Sequence, residues 1–479
     1  MRMIETAEKH DPEAGLRRVM GPFGATCVVI GAIIGVGIFF TPSEVARLAG
    51  SSGVAMLAWA VAGAIALTGA LTFAELGGLY PHTGGQYELL RDSYGPLPAF
   101  VYVFCNATAI QAGAIAIIAI ICVRNLWEAV GTGTPGALQV SAASAMLIVG
   151  LASANGMGVK WGSSVQNLTV CAKVGTLLVI TGIAATVDSA EPAVGLMNAQ
   201  QNGAAGIGIV GLVFAAMIPA MFSFGGWQHA LWIGGEIRQP QRNVPFAIIT
   251  GVVTVVVVYL LVNWAYFRLL GYGGVAGSET LAADAVAGVW PGYGRRAIAA
   301  GVALSACGVL NAQLLSGPRL VYGMALDGRF FSPFARVSAR RATPIPAIML
   351  IAGMALVLLL LAGEESVGKL ITGVVFIDGV FFVLTGCALL VLRRKRPQAD
   401  RPLRVPGYPV VPLLFVVGEI GIVVGAFRNP EVRSVAFIGV GWIVAAAICY
   451  LLFFRRPPRA PLSQSGRPDP EARRDASRA

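Results

Sequence analysis

Long uncharged stretches alternate with short charged ones along the whole chain. The apolar windows fall at about 20–45, 53–75, 93–123, 137–159, 161–187, 204–235, 244–267, 297–322, 344–363, 370–392, 406–427 and 434–454. Each holds roughly 20 residues or more, enough for an apolar helix to cross the hydrocarbon core of a bilayer. A soluble helix pairs an apolar stripe with a polar face, and these windows show no such division. The pattern predicts an all-α integral membrane protein with twelve transmembrane helices. Ten or eleven is the alternative count, and the uncharged run from Pro192 to Gly235 is long enough to hold a second span.

Composition and charge add the orientation. Hydrophobic residues make up 56% of the chain and charged ones 12%, against about 25% charged in soluble domains. With twelve spans, the two termini and the even-numbered loops share one side. That side carries 25 of the 35 lysines and arginines, including "RFFSPFARVSARR" (329–341) and "RRKRPQADRPLR" (393–404), while the opposite side carries seven. Positive loops stay in the cytoplasm, which places both termini inside, in a multi-pass protein of the cell membrane with the lipid bilayer as its surroundings. The net charge of +11 is then an orientation signal, and no nucleic-acid partner is expected. Residues 1–18 form a charged cytoplasmic segment that lacks the apolar stretch and small-residue site of a cleaved signal peptide. Residues 456–479, rich in Pro, Arg and Ser, read as a disordered cytoplasmic tail, with contact to anionic lipid as the alternative.

The usual handles of enzyme chemistry are missing. The seven cysteines form no CxxC pair, and only three histidines occur, His10, His82 and His229. HExxH, GxSxG and the phosphate-binding loop motif do not occur either. Disulfides, structural zinc and a cofactor are therefore not expected, and the cysteines read as small apolar packing residues.

Residues 31–42, "GAIIGVGIFFTP", put three glycines in the middle of a span, where each weakens a helix by about 1 kcal/mol relative to alanine. A second interruption follows in the sixth window, "MFSFGGWQHALWIGGEI" (221–237), with Pro219 just before it. The two breaks lie five spans apart on helices of opposite direction, as an inverted repeat of helices 1–5 and 6–10 would place them. Repeat one then covers about 19–187, repeat two about 204–394, and helices 11 and 12 about 406–455. Paired broken helices at matching positions are the sequence mark of a transporter's binding site. Unwound backbone is tolerated in a membrane only beside protein or a water-filled cavity. Its freed amides favour an anion and its freed carbonyls a cation, and an α-amino acid carries both charges. The alternative is that Gly31, Gly35 and Gly37 only let helices pack closely.

Intramembrane ionisable residues supply the next candidates. Lys173 lies 13 residues beyond Lys160, about 20 Å along a helix, and Asp188 lies a similar distance beyond it. That depth costs a lysine about 2.5 kcal/mol or more and exceeds the reach of its stem to either surface, so the residue needs a partner and a role. Asp378 and Glu419, each flanked by apolar residues, read as hydrogen-bonded structural carboxylates, with proton relay as the alternative. Glu75 and Glu236 read as carboxylates near cytoplasmic helix ends, close to water and engaged in helix capping or loop pairing. Asn311 reads as a packed amide, and Tyr266 either as a wall of the site or as a residue at the lipid interface.

Together "GAIIGVGIFFTP", "FAELGGLYPHTGGQYELLRDSYGPLPAF" (73–100), "FSFGGWQHALWIGGEIRQPQRNVPFAI" (222–248) and "LNAQLLSGPRLVYGMALDGRFFSPFARV" (310–337) resemble the amino acid–polyamine–organocation superfamily. Within it the chain is most similar to L-amino acid transporter-like permeases, over about residues 15–455. The resemblance implies a five-plus-five inverted repeat with broken helices 1 and 6, alternating access, and amino acid transport by exchange or by uptake without sodium. It implies that Ile33, Ile34, Gly35, Val36 and Gly37 face the substrate carboxylate. Phe222, Ser223, Phe224 and Gly225 would form the second break and receive the ammonium, with Phe222 as an outer lid and Trp227 and Gln228 beside the side-chain pocket. Lys173 would stand where sodium-coupled relatives bind a cation, bridging carbonyls of the first break and a helix 8 hydroxyl, for which Ser305 is the candidate. Val36 and Ala32 depart from the polar residues common at those positions, which leaves the carboxylate to backbone amides. Neutral amino acids are favoured because neither break contains an acidic residue; cationic amino acids or polyamines are the alternative substrates. A sensor on a transporter scaffold is the other functional class, and a channel is disfavoured because no filter-like repeat appears. The sequence leaves open whether an accessory single-span subunit attends the protein.

Overall fold

The computed structural model describes residues 16, 18–131, 133, 135–186, 208–278, 280–287, 290, 293–338, 340–362, 367–428 and 433–455. The expectations for the tail 456–479 and for most of the N-terminal segment 1–18 lie outside these residues. The described residues are helical, with no strand and only two isolated bridges, Met20 to Ile237 and Thr83 to Ile233. Eight helices are long and apolar enough to cross a membrane, and four shorter apolar helices accompany them, at Pro22–Ile33, Ile209–Met221, Ile345–Leu361 and Val410–Gly425. The chain is a multi-pass membrane protein.

In chain order the helices are α1 (Pro22–Ile33), α2 (Thr41–Ala49), α3 (Ser52–Leu79), α4 (Gly85–Tyr94), α5 (Pro96–Cys105), α6 (Gln111–Val130), α7 (Ala137–Gly156), α8 (Val159–Thr186), α9 (Ile209–Phe222) and α10 (His229–Trp232). They continue as α11 (Pro240–Gly277), α12 (Leu281–Ala287), α13 (Gly294–Leu326), α14 (Ile345–Ala362), α15 (Val367–Lys395), α16 (Val410–Arg428) and α17 (Arg433–Cys449). The first apolar window is divided between α1 and α2, and the sixth between α9 and α10. Pro22 opens α1 at a first-turn position where a missing N–H is harmless. Gly50, at φ 71°, closes α2, and Ser51 then caps α3 by accepting from the Val54 N–H at 3.3 Å. The reversal between the two helices needs that left-handed residue.

α1 sits among α8, α11 and α13, while α3 runs along α9 and α11, and α6 along α13. Asn311 on α13 ties this inner group together. Its Nδ2 donates to the Gly162 carbonyl at 2.9 Å and to Gln166 Oε1 at 3.0 Å, and its Oδ1 accepts from Asn155 Nδ2 at 2.9 Å. The packed-amide reading therefore describes it.

Water is not close to Glu75 and Glu236, contrary to the sequence expectation. Both side chains are fully buried, because arginines from distant segments fold over them. Arg319, itself fully buried on α13, donates to Glu236 Oε1 from Nε at 3.1 Å and from Nη2 at 2.9 Å. Arg393 clamps Glu75 at 2.9 and 2.6 Å, Arg401 lies 3.1 Å from the same carboxylate, and the Val405 N–H donates to it at 2.7 Å. Tyr266 is also fully buried and does not border the central cavity, so it is neither a lipid-interface residue nor a wall of the site.

Removing one partner of a buried ion pair leaves the other charge uncompensated, at about 3–5 kcal/mol. Arg319→Met should therefore lower the melting temperature of the detergent-purified protein sharply, and Arg319→Met with Glu236→Gln should recover most of the loss. Equal melting of Arg319→Met and the parent would mean that the pair contributes nothing to the fold.

Candidate functional site

The two interrupted helices meet. α1 ends at Ile33, Ile34 leaves helical geometry at φ −70° and ψ 92°, and a short 3-10 turn at Gly37–Phe39 leads toward α2. α9 ends at Phe222, so the second break runs from Ser223 to Gln228 and Phe222 is the last helical residue rather than part of the break. The Phe222 side chain lies outside the described residues, and with it the lid expectation. At the crossing, Gly226 adopts φ 132° with its backbone against that of α1. A Cβ there would stand 2.8 Å from the Ala32 carbonyl carbon and oxygen and 2.9 Å from the Ile33 nitrogen.

The carbonyls freed in α1 are taken up by protein donors. Lys173 Nζ donates to Gly31 O at 3.0 Å and to Ile34 O at 2.6 Å. Ser305 Oγ reaches Gly35 O at 3.3 Å and Ile34 O at 3.5 Å. Lys173 and Ser305 thus converge on the same carbonyl from α8 and α13 and are joined through it, not by a direct bond. Tyr259 on α11 places its hydroxyl 3.2 Å from Ile33 O and 3.1 Å from Ser223 O, between the two breaks. Sequence reasoning missed Tyr259. The signal it offers is a hydroxyl two helical turns before Tyr266 on the same face, and nothing in the sequence says which of the two lies level with the breaks.

Backbone amides remain over. Among the described residues, the N–H groups of Val36, Gly225 and Gly226 have no backbone acceptor, and the carbonyls of Ala32, Phe224 and Gly225 have no backbone donor. Val36, Gly225 and Gly226 border a cavity of about 200 Å³, together with Ile33, Gly35, Gly37, Ser223, Trp227 and Gln228. The cavity is therefore bordered by residues of both breaks whose amides are unpaired, and by Ala32 and Gly225, whose carbonyls are unpaired, in a mostly apolar lining.

Several predicted residues lie elsewhere. Ile34 is fully buried outside the cavity wall, with its carbonyl held by Lys173. Phe224 also turns away and packs edge-on against Trp59 at 5.8 Å and tilted on Tyr259 at 5.2 Å, because the turn after Phe222 points it into the α3–α11 seam. Trp227 stacks on Phe382 at 5.5 Å with an 11° interplanar angle, and both rings border the cavity. Asp378 and Glu419 border it as well.

A family model described as "Amino acid permease" matches residues 20–454. The b(0,+)-type amino acid transporter 1 of Mus musculus is 28% identical over 449 residues, covering 91% of this chain and 88% of its own. The large neutral amino acids transporter small subunit 2 of Homo sapiens is 30% identical over 466 residues, covering 90% of this chain and 83% of its own.

Gly226→Ala should destabilise the protein by at least the roughly 1–3 kcal/mol of a strained backbone position, since the clash is with backbone that cannot rotate aside. Gly35→Ala is the control, because a Cβ there meets nothing nearer than 3.6 Å. Thermal melting in detergent should separate the two variants clearly.

Proposed function

The chain belongs to the amino acid permease family, and on that premise we propose that it is a secondary active carrier moving amino acids by alternating access without sodium. The proposed architecture is twelve spans in a five-plus-five inverted repeat, with broken helices 1 and 6, both termini cytoplasmic, in the cell membrane. Reciprocal packing supports the repeat. α1 lies on α11 as α9 lies on α3, α8 lies on α13 as α15 lies on α6, and α7 lies on α13 as α14 lies on α6. Each of these pairings exchanges its two halves under a shift of five spans.

One observation carries the substrate assignment. The α1 break has its carbonyls of Gly31, Ile33, Ile34 and Gly35 occupied by Lys173, Tyr259 and Ser305, while Val36, a cavity-lining residue, has an N–H with no backbone acceptor. Among the described residues the Ala32 carbonyl is the acceptor of this segment left without a donor, and a segment with most of its acceptors covered and its Val36 amide open suits an anion. The open carbonyl of Gly225 in the other break suits a cation. A zwitterion with a carboxylate and an ammonium on one carbon fits between them. The names of the similar proteins agree with an amino acid as substrate, and that of the human relative includes large neutral amino acids.

Lys173 is assigned the role of a built-in cation. Its ammonium neutralises the carbonyl dipoles at the break, the task that a bound metal cation would otherwise perform. Exchange and proton-linked uptake are the two coupling modes compatible with a protein-borne charge at this point.

Counterflow in liposomes tests the carrier reading, because preloaded unlabelled amino acid accelerates entry of the labelled one only through a carrier, whereas a sensor binds without moving it. Replacing sodium by choline should leave the rate nearly unchanged. Lys173→Met keeps the stem and removes the charge, and should cut the rate at least tenfold in correctly inserted protein. An imposed inward proton gradient decides the coupling, since only a symporter concentrates substrate with it. Strict sodium dependence, or full activity in Lys173→Met, would reject the cation role.

The carboxylate assignment has its own check. An α-methyl ester of the best substrate forfeits a charge-assisted bond worth about 1.5–3 kcal/mol, and should compete roughly 10- to 100-fold more weakly. Equal competition by ester and acid would remove the α1 amides from the site.

A further inference from the structure

We propose that Asp378 on α15 and Glu419 on α16 form a side-chain subsite of this cavity that binds a substrate's distal ammonium or guanidinium group. The proposal rests on the reading of the cavity as an amino acid site and specifies which side chains it selects. It departs from the sequence reading, in which both residues were structural carboxylates and neutral substrates were favoured.

The argument begins with charge. Both carboxylates border the cavity, and among the described residues neither is ion-paired with a lysine or arginine. Glu419 is 4% exposed. A buried and a half-buried acidic group beside an apolar cavity call for a compensating cation or a proton. Lys173 does not provide it, since its ammonium is committed to Gly31 O and Ile34 O and the residue lies outside the cavity wall.

Hydrogen-bond capacity points the same way. Gln228 Nε2 lies 3.4 Å from Asp378 Oδ2, and only an amide N–H₂ can face a carboxylate, which fixes the orientation of the group. Gln228 Oε1 is then left without a partner on a cavity-lining side chain that is 4% exposed. Gln313, also on the wall, has its Oε1 unpartnered too. The cavity wall thus holds two unpartnered amide oxygens besides the two carboxylates. An aliphatic side chain would leave them unanswered, whereas an ammonium brings three donors and a guanidinium five.

α15 and α16 pack closely at the two carboxylates. Gly379 follows Asp378, and a Cβ there would stand 3.9 Å from Glu419 Oε2 and 3.2 Å from Val423 Cγ2, so Glu419 lies directly against the α15 backbone beside Asp378. Phe382 lies four residues beyond Asp378, on the same face of α15, and its ring stacks on Trp227. The stacked pair offers an apolar wall for a methylene stem between the two breaks and the acidic pair.

Lysine and norleucine test this directly, because they share the four-carbon stem and differ in the terminal ammonium. Their competition against a labelled amino acid in counterflow, and the melting shift each induces in detergent, give a lysine-to-norleucine preference. The parent should prefer lysine at least tenfold, and Asp378→Asn and Glu419→Gln should each reduce that preference severalfold or more. Norleucine equal to or better than lysine in the parent overturns the proposal without need of any variant. An unchanged preference in both variants also overturns it. So does a variant whose only change is its response to an imposed proton gradient, because the pair would then carry a proton. Absence of counterflow with every amino acid would instead refute the carrier reading, while the melting shifts would still judge the subsite.

Discussion

Everything central to this molecule follows from unsatisfied backbone in an apolar interior. Interrupting two helices frees N–H and C=O groups that the surroundings cannot hydrate, and each must find a partner or a ligand. The protein treats the two kinds of group differently in α1. Lys173, Ser305 and Tyr259 come from three separate helices to cover carbonyls, and no side chain covers the Val36 amide. With the Ala32 carbonyl as the exception among the described residues, the break is thereby weighted toward donors, which favours an anion. The expense of burying a lysine is offset by two carbonyl acceptors at 3.0 and 2.6 Å, which makes its position as much structural as functional.

The breaks also explain the packing around them. Gly226 lets the second break lie backbone to backbone on the first, and the Tyr259 hydroxyl stands between Ile33 O and Ser223 O. The aromatic cluster of Trp59, Phe224 and Tyr259 fills the space behind them. Motion of one break relative to the other must therefore disturb Tyr259. At the far side, the bridge from Met20 to Ile237 ties the segment that follows α10 to the one that precedes α1, and the buried Arg319–Glu236 pair ties it to α13. The two interrupted helices are thus linked both at the cavity and at the end of the bundle beyond it.

Much of this is legible in the sequence, for reasons that differ by residue. Window length and absence of charge locate the helices because bilayer thickness sets a length scale that needs no tertiary information. Glycine clusters locate the breaks because the backbone conformation itself demands them. Depth along one helix singles out Lys173. What escapes is whatever depends on azimuth or on long-range pairing. Tyr259 and Tyr266 share a helix face, and only the three-dimensional packing shows that Tyr259 reaches the breaks. Phe224 reads as a site residue by its place in the break, yet its ring enters the α3–α11 seam. Glu236 gains its burial from Arg319, 83 positions away.

Asp378 and Glu419 show the same limit with the largest functional consequence. Along the chain each is a single carboxylate in an apolar helix, and an isolated buried carboxylate is most simply read as structural. The fold brings them from two helices to one cavity, with Gln228 from the second break touching Asp378 at 3.4 Å. That contact joins selection to movement. A group that engages Asp378 competes with or reorders the Gln228 amide, and Gln228 belongs to the segment whose geometry defines the break. A carrier needs its substrate to bind one conformation better than another, since a ligand with equal affinity for both shifts nothing. Placing a side-chain-reading residue in hydrogen-bond contact with the unwound helix gives the distal part of the substrate a direct physical means of supplying that difference.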